Sequence, residues 1–391
     1  MQATIPTSKT PWGLVFALWG AGLGAAAQYG KFSVTFSHLA EAYPQAGDAL
    51  GFIVSSVGLL GIFFGVAAGL LVARVRYRRA LLWALWFGAA LSAFQALLPQ
   101  LPWMLVSRAA EGLSHLALVV AIPTLIAQLC APGDRGLALT LWGTFFGVAF
   151  AILAWAGLPL VDYGGLSALL MAHAIYLAAF ALFLGARLRA MHFDEAPVSF
   201  SLADIVREHI RIYSSPATSA PGLGWLFYTF CFVSILTVLP GYIPEETRAF
   251  VMGAMPLTSI GVSMTLGVIL LRWMPAVSVV VLGFACSAIC MFWLWVEPGG
   301  TVPCLVLAGS MGLVQGASFA AVPQLNNRPS DQARANGAMA QMGNVGNTLG
   351  TPVMAIAAGG LGYLGLPLLA GAAFLAGGIV HLVLAARRKD A

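Results

Sequence analysis

Three ionisable residues fall within one apolar segment of the chain, at a spacing that an α-helix places on one face. Arg108, Glu111 and His115 are three and four positions apart, the separation of neighbours on a helix surface. Because an ionisable group in hydrocarbon is energetically costly, its presence points to function. The carboxylate and the imidazole can carry protons, and the guanidinium can hold an anion. The alternative is a structural role, in which Arg108 and Glu111 neutralise each other and only hold this helix against a neighbour.

Two other apolar segments carry polar residues at helical spacing. Near the start of the chain, Gln28 and Lys31 share a face and Tyr29 lies beside it. Lys31 either lines the outer part of a cavity or extends its charge to the membrane surface. A later segment includes the amides Gln341, Asn344 and Asn347 among its glycines. These amides either recognise substrate oxygens or hydrogen-bond to a neighbouring helix.

Two isolated polar residues complete the set. Gln315 is a weaker candidate for substrate recognition, and His173 is interpreted as a packing histidine whose hydrogen bonds are satisfied. The six histidines never pair at metal-ligand spacing, and the five cysteines lie in or beside apolar runs. We therefore expect no metal and no cofactor, and we interpret the cysteines as buried thiols.

The composition excludes most classes of protein. Hydrophobic residues make up 60% of the 391 residues and charged residues only 8%, whereas a soluble domain holds about 25% charged residues. A soluble enzyme, a nucleic-acid binder and a disordered protein are thereby excluded. Phosphate-binding loops of the Walker type, HExxH and GxSxG are all absent from the sequence, so we expect no enzyme. A membrane receptor remains an alternative class, which flux measurements in liposomes would separate from a carrier.

Continuous apolar stretches predict twelve membrane helices, each near the roughly 20 residues that span a bilayer. The expected helices are residues 12–36, 49–73, 80–98, 101–130, 135–160, 165–187, 222–243, 249–271, 275–296, 301–325, 333–360 and 363–386. The polar connection 188–221 divides them into halves, 1–187 and 222–391. Within it, residues 201–211 show helical spacing of apolar residues and predict a short amphipathic helix on the membrane surface.

The basic residues predict the orientation in the membrane. With both termini in the cytoplasm, sixteen of the nineteen lysines and arginines lie on the cytoplasmic side, and only Lys31, Arg108 and Arg248 do not. Such an asymmetry is what the positive-inside rule requires. We therefore expect both termini to be cytoplasmic.

The two halves share several features near a spacing of 200 residues. Gly69-Leu-Leu-Val-Ala73-Arg74 ends the second predicted helix, and Gly267-Val-Ile-Leu-Leu271-Arg272 ends the eighth. The fourth and tenth helices each carry a proline, and both lead to a loop that contains an acid and an arginine, Arg135 in the first half and Arg334 in the second. These matches indicate a duplicated six-helix unit.

The same residues resemble the major facilitator superfamily over essentially the whole chain. The family signature G-x-x-x-D-R-x-G-R-R is similar to the stretch from Gly69 to Arg79, in which Gly69, Arg74 and the basic cluster with Arg78 match. Ala73 stands where the family has an aspartate, and Leu271 where the second copy has its acid. The stretch Arg108-Ala-Ala-Glu111-Gly112 is similar to the family's R-x-x-Q-G.

The resemblance implies an all-α polytopic membrane protein with twelve transmembrane helices in two pseudo-symmetric six-helix bundles. Such a protein is a secondary transporter that works by alternating access. The resemblance also implies that the ends of the helices form a cytoplasmic latch, and the missing acids leave open how that latch is built here. The expected gating residues are Gly69, Arg74, Arg78, Arg135, Arg272 and Arg334.

We therefore expect a monomeric carrier in a bacterial cytoplasmic membrane. Its expected partners are a small-molecule substrate and the lipid bilayer, and we expect it to bind no nucleic acid. Two cations and a histidine against one acid favour an anionic or carboxylate-bearing solute, with protons as the coupling ion. The expected substrate-binding residues are Gln28, Tyr29, Lys31, Arg108, Gln315, Gln341, Asn344 and Asn347. Glu111 and His115 are the expected proton-coupling residues. The alternative is an efflux pump for amphiphilic compounds such as drugs or siderophores.

Overall fold

The computed structural model describes residues 9–65, 72, 75–189, 191 and 202–389, and every regular element in them is helical. The first half contains α1 (Trp12–Ser33), α2 (Gly47–Phe64), α3 (Tyr77–Gln95), α4 (Leu101–Leu129), α5 (Arg135–Gly143, Phe145–Ile152 and the π-helical turn Leu153–Gly157) and α6 (residues 166–187). The second half contains α7 (Pro216–Val238), α8 (Glu245–Leu271), α9 (Ala276–Val296), α10 (Thr301–Leu325), α11 (Pro329–Leu361) and α12 (Gly365–Lys389). Between the halves lies the linker helix, Leu202–Ser214.

The helices account for twelve membrane passes. Among the described residues, eight stretches are long and apolar enough to cross a membrane, and two of them, Arg135–Arg187 and Ser330–Lys389, have 53 and 60 residues. At about 1.5 Å per residue each exceeds twice the roughly 30 Å of a hydrocarbon core. Both contain a glycine with positive φ, Gly165 at 73° and Gly362 at 59°, where the chain turns back. With α1 and α3, these passes confirm the expected twelve-helix fold.

The seventh helix begins six residues before its expected start. The chain enters it at Pro216, after Ser215, whose hydroxyl accepts a hydrogen bond from the Thr218 N–H at 3.4 Å. Serine at the cap followed by proline at the first helical position is a favourable helix start, because proline lacks the N–H that would be unsatisfied there. The predicted connection 188–221 therefore ends at residue 215. The apolar pattern did not indicate this start, because the first turn contains threonine and serine, which are polar.

The two halves meet most closely along α2 and α11. A Cβ at Gly51 would lie 2.6 Å from the Cα of Pro352, and one at Gly65 would lie 2.7 Å from the Cα of Gln341. Both separations are too short for any side chain larger than hydrogen, so these glycines let the two backbones run in contact. Further contacts between the halves join α1 to α7, where the Ser33 and Thr237 hydroxyls are 2.6 Å apart.

The linker helix is held against the first turns of α11. Glu208 accepts a hydrogen bond from Arg334 Nε at 2.8 Å, and the Tyr213 hydroxyl donates to Gln341 Oε1 at 2.8 Å. Val206 and Ile210, four residues apart, remain exposed by 61% and 64%. A helix with polar contacts on one side and an exposed apolar stripe on another matches the amphipathic helix predicted from the sequence.

Candidate functional site

The ion pair predicted on α4 is present and fully buried. Arg108 Nη1 donates a hydrogen bond to Glu111 Oε2, and neither side chain has any solvent exposure. The guanidinium also donates from Nε to the Ile53 carbonyl at 2.6 Å and from Nη2 to the Val54 carbonyl at 2.9 Å. Arg108 thus joins α4 to α2, as well as balancing the carboxylate.

Local backbone geometry lets α2 approach this arginine. The two acceptor carbonyls precede a 3₁₀ turn, Ser56–Gly58, that interrupts the helical ladder of α2. On α4, a Cβ at Gly112 would lie 2.5 Å from the Val57 carbonyl oxygen. A glycine at this position therefore allows the close approach that brings α2 carbonyls to Arg108, and backbone carbonyls are common partners of charges buried in membranes.

Lys31 points into the first bundle. Its side chain has no solvent exposure, and Nζ lies 2.7 Å from Glu111 Oε1. Extension of the lysine to the membrane surface, one of the two alternatives left open by the sequence, is therefore wrong for this structure. Phe32 packs against both cations, with its ring centroid 5.3 Å from Lys31 Nζ and 4.6 Å from Arg108 Cζ. The ring face adds an attraction of the cation–π kind.

Two residues of α3, which the sequence analysis did not select, complete the environment of this ion pair. Gln95 accepts a hydrogen bond from Lys31 Nζ at 2.7 Å through Oε1 and donates to Glu111 Oε2 at 2.9 Å through Nε2. Ser92 Oγ accepts from Lys31 Nζ at 3.1 Å. The sequence contained one signal for these two residues: they are three positions apart in an apolar helix, which places both side chains on one face. We call Lys31, Ser92, Gln95, Arg108 and Glu111 the buried ion cluster.

His115 and His173 are both buried in the first bundle, but they differ in their position relative to the buried ion cluster. His115 bonds through Nδ1 to the Ala25 carbonyl at 3.0 Å and packs edge-on against Tyr29, with centroids 5.1 Å apart. His173, interpreted from the sequence as a packing residue, has Nδ1 3.3 Å from Lys31 Nζ and 2.9 Å from Ser92 Oγ. The structure therefore brings His173 into contact with the buried ion cluster.

Gln28 and Tyr29 lie next to the cluster but take no part in it. Gln28 Nε2 donates to Ser114 Oγ at 2.9 Å, while its Oε1 and the Tyr29 hydroxyl are buried and have no hydrogen-bond partner among the described residues. The hydroxyls of Tyr29 and Thr348 both face Gly58, at 2.5 and 2.4 Å from the position of a Cβ there. Buried polar atoms without partners are rare in proteins, so the contact between the halves offers hydrogen-bonding groups to a ligand.

The amides of α11 do not meet the buried ion cluster. Gln341 donates through Nε2 to the Ile62 carbonyl of α2 at 2.8 Å and also contacts His209 of the linker helix at 2.8 Å. Asn344 bonds to the Ala340 carbonyl of its own helix at 2.8 Å. Asn347 and Gln315 are half-buried, on α11 and α10. Gln341 thus joins α2, α11 and the linker helix, which is the arrangement of a connecting residue.

Four of the six expected gating residues, Arg78, Arg135, Arg272 and Arg334, belong to the part of the chain that the structure describes and lie at or near helix ends. Gly69, Arg74 and Ala73 lie outside the described residues. Arg78 Nη2 approaches the Gly185 carbonyl at 3.5 Å, and Arg135 and Arg272 are exposed. Arg334 bonds to Glu208 and to Asp331, both at 2.8 Å.

A row of aromatic rings crosses from one half to the other beside Tyr29. Its successive centroids lie 5.9 Å apart from Tyr29 to Phe146, 6.2 Å from Phe146 to Phe232, 5.6 Å from Phe232 to Tyr228 and 4.5 Å from Tyr228 to Trp225. The row joins α1, α5 and α7. It gives the contact between the halves an aromatic wall, suited to the apolar part of an organic solute.

The buried ion cluster contains two cations and one anion. Among the described residues, Lys31, Arg108 and Glu111 are the charged side chains in the fully buried class, and no group of three potential metal ligands occurs. Buried charges without a counter-charge are energetically costly. With Lys31 and Arg108 both ionised, the cluster therefore favours either an additional anion or the loss of a proton.

The chain was compared with known proteins. Residues 14–351 match the family model of the Major Facilitator Superfamily. Among curated proteins, none matches the chain. The matched region runs from the first turn of α1 into α11, and so includes every residue of the buried ion cluster.

Proposed function

The chain belongs to the Major Facilitator Superfamily, and on that premise we propose that it carries a small anionic or carboxylate-bearing organic solute, with protons as the coupling ion. Members of the family are transporters of small molecules, and this chain is an integral membrane protein. Transport proceeds by alternating access between the two six-helix halves. The charge of the solute and the coupling ion are inferred from the buried site.

The observation that carries the proposal is the excess positive charge of the buried ion cluster. Lys31 and Arg108 are opposed by Glu111 alone, and all three side chains have no solvent exposure. A carboxylate that reaches Arg108 from the contact between the halves would neutralise this excess. Gln28, Tyr29, Gln315, Gln341, Asn344 and Asn347 remain the proposed polar contacts for the rest of the solute.

Proton coupling follows from competition for Arg108. An anionic solute that engages the guanidinium would weaken its hold on Glu111 and favour a more protonated cluster. Solute binding and proton uptake would then be linked, and by reciprocity a lower pH would tighten solute binding. The sequence predicts Glu111 as the residue that takes up this proton, with His115 as the alternative on the same face of α4.

We further propose that the protein works as a monomer in a bacterial cytoplasmic membrane with both termini inside, because sixteen of its nineteen basic residues then face the cytoplasm. In this orientation the contacts of Arg334 and Gln341 with the linker helix lie on the cytoplasmic side. These contacts support a latch that uses Glu208 where the family's acid is replaced by Ala73. Gly69, Arg74, Arg78, Arg135 and Arg272 are the other proposed gating residues.

The second candidate function, export of amphiphilic compounds, is favoured by the aromatic row from Tyr29 to Trp225. Flat apolar cations and uncharged drugs stack well on such a wall. The excess positive charge beside it disfavours cations. The charge of the accepted solute therefore separates the two functions.

The test is uptake into proteoliposomes with an imposed proton gradient. We expect accumulation of at least one carboxylate from a panel of lactate, succinate and citrate, and no gradient-driven movement of ethidium. Folded Arg108→Ala protein should lose the carboxylate flux. Movement of ethidium without any carboxylate flux would favour the exporter and contradict the proposal.

A further inference from the structure

The hydrogen bonds of Lys31 leave one proton shared between two acceptors. An ammonium group has three N–H donors, and Lys31 Nζ has four acceptor atoms within reach. Glu111 Oε1 and Gln95 Oε1, both at 2.7 Å, take two of the donors. Ser92 Oγ at 3.1 Å and His173 Nδ1 at 3.3 Å compete for the third.

The surroundings of His173 assign the tautomer of its ring. Nε2 lies 3.0 Å from the Gly24 carbonyl oxygen, and because a carbonyl only accepts hydrogen bonds, Nε2 carries a hydrogen. In the neutral ring Nδ1 then has a lone pair, and that lone pair faces Lys31. Ser92 can donate its own hydrogen to the Leu170 carbonyl at 2.9 Å. His173 is therefore a proton acceptor in contact with a buried ammonium group.

Charge balance identifies which member of the buried ion cluster can change its protonation. Arg108 does not lose its proton in proteins. Glu111 is held ionised by Lys31, Arg108 and the Gln95 N–H. Only Lys31 can lower the charge of the cluster by giving up a proton, and the imidazole at 3.3 Å is a base placed to receive it.

We infer that Lys31 and His173, rather than Glu111 or His115, form the proton-exchanging pair of the transporter, a role that rests on the proposed proton coupling. A proton passes from Lys31 Nζ to His173 Nδ1, which gives a neutral amine and an imidazolium ring. The imidazolium then loses its Nε2 proton to water, which restores a neutral imidazole with its hydrogen on Nδ1. The cluster has then lost one positive charge, as the departure of a bound anion requires.

A cavity beside the ring provides the exit for this proton. Its volume is about 220 Å³, and its lining includes His173 and Gly24 together with Leu153, Leu169 and Tyr176. A water molecule occupies about 30 Å³ in the liquid, so the volume suffices for several, and His173 and Tyr176 are the polar side chains in an otherwise apolar lining. It lies between α1, α5 and α6.

The groups that act on His173 come from every helix packed around it. Lys31 and the Gly24 carbonyl come from α1, Ser92 from α3, and the charges of Glu111 and Arg108 from α4, while α5 contributes apolar residues and α6 contributes Tyr176. Of these, Lys31 is the cation closest to the ring. Loss of the Lys31 charge would favour protonation of His173. A state in which both groups are positively charged is therefore disfavoured relative to one in which a single proton is passed between them.

The decisive variant is His173→Gln. Glutamine can accept from Lys31 through its oxygen and donate to the Gly24 carbonyl through its nitrogen, but it cannot carry a proton at neutral pH. We expect proton-gradient-driven uptake of the best-transported carboxylate of the panel to fall at least tenfold, while counterflow without a gradient stays within twofold of wild type. His381→Gln on α12, also a fully buried histidine, is the matched control and should couple normally.

The outcomes separate failure of the proposed proton coupling from failure of the role assigned to His173. Wild-type protein that moves a carboxylate without proton movement, followed with a trapped pH dye, contradicts the proposed coupling itself. Wild-type protein that couples, together with folded His173→Gln protein that accumulates solute equally well, overturns only the role of His173. If His173→Gln does not fold, Lys31→Arg decides, because arginine keeps the charge but releases no proton. Full coupling in that variant would also overturn the inference.

Discussion

Lys31 on α1 and Glu111 on α4 are joined by a 2.7 Å contact between Nζ and Oε1, eighty residues apart in the chain and without solvent exposure. The carboxylate is shared with Arg108, so a single acid opposes two cations. Removal of any one member changes the charge of a site that water does not reach. The stability of the first bundle is therefore tied to the charge of this cluster.

Neutralising the acid should destabilise the protein. Glu111→Gln leaves Lys31 and Arg108 unopposed, and breaking a buried ion pair from one side costs about 3–5 kcal/mol. Thermal unfolding of the detergent-solubilised protein should show a clear fall in Tm. The double variant Lys31→Met with Glu111→Gln restores the wild-type charge of the cluster and should recover most of the loss. A double variant no more stable than Glu111→Gln alone would contradict this account.

Arginine at position 108 should be irreplaceable by lysine. The guanidinium reaches two carbonyls of α2 and Glu111 from different nitrogens, whereas a lysine ammonium cannot span these acceptors with the same geometry. We expect Arg108→Lys to lose carboxylate uptake and to lower Tm. Arg248→Lys, whose wild-type arginine donates to the Ile243 carbonyl, is the control and should retain both. Wild-type uptake by Arg108→Lys would show that charge alone suffices.

The linker helix should be held more weakly in acid. The hydrogen bond from Arg334 lowers the pKa of Glu208 below its ordinary value, and Arg211 acts in the same direction. A lowered pKa in the folded state contributes stability above the unfolded value of about 4.3, and this contribution is lost as the pH falls through the lowered value. The pair is partly exposed, so its contribution at pH 7 should be about 0.2–1 kcal/mol.

A double-mutant cycle of Glu208→Gln and Arg334→Gln measures this coupling through thermal stability. We expect a coupling energy at pH 7 that shrinks towards zero near pH 3. A coupling that is equal at both pH values would mean that the ion pair does not hold the linker helix.

The orientation in the membrane can be tested with single cysteines at exposed turns. Tyr163 is 94% exposed beside the turn before α6, and Pro298 is exposed in the turn before α10. Both turns lie opposite the linker helix, so Tyr163→Cys and Pro298→Cys should react with an impermeant thiol reagent from outside the cell. Arg211→Cys on the linker helix should react only after the membrane is opened. Labelling of Arg211→Cys in intact cells would reverse the proposed orientation.

The sequence by itself determined the class of fold and one contact of the site. Apolar runs of membrane length predicted twelve helices because hydropathy is a local property of the chain. Arg108 and Glu111 could be paired because residues three apart on a helix are neighbours whatever surrounds the helix. The polar first turn of α7 lacked such a local signal, and its start at Pro216 was missed for that reason.

Only the tertiary structure decided the partners between helices. Lys31 meets Gln95 and His173 across 64 and 142 residues of sequence, and these contacts depend on the rotation and depth of three helices in the bundle. Gln341 shares its helix face with polar residues, and only the packing of the helices showed that it also contacts α2 and the linker helix. Periodicity indicates which residues share a face, whereas the neighbour of that face is set by the packing of helices that are distant in the chain.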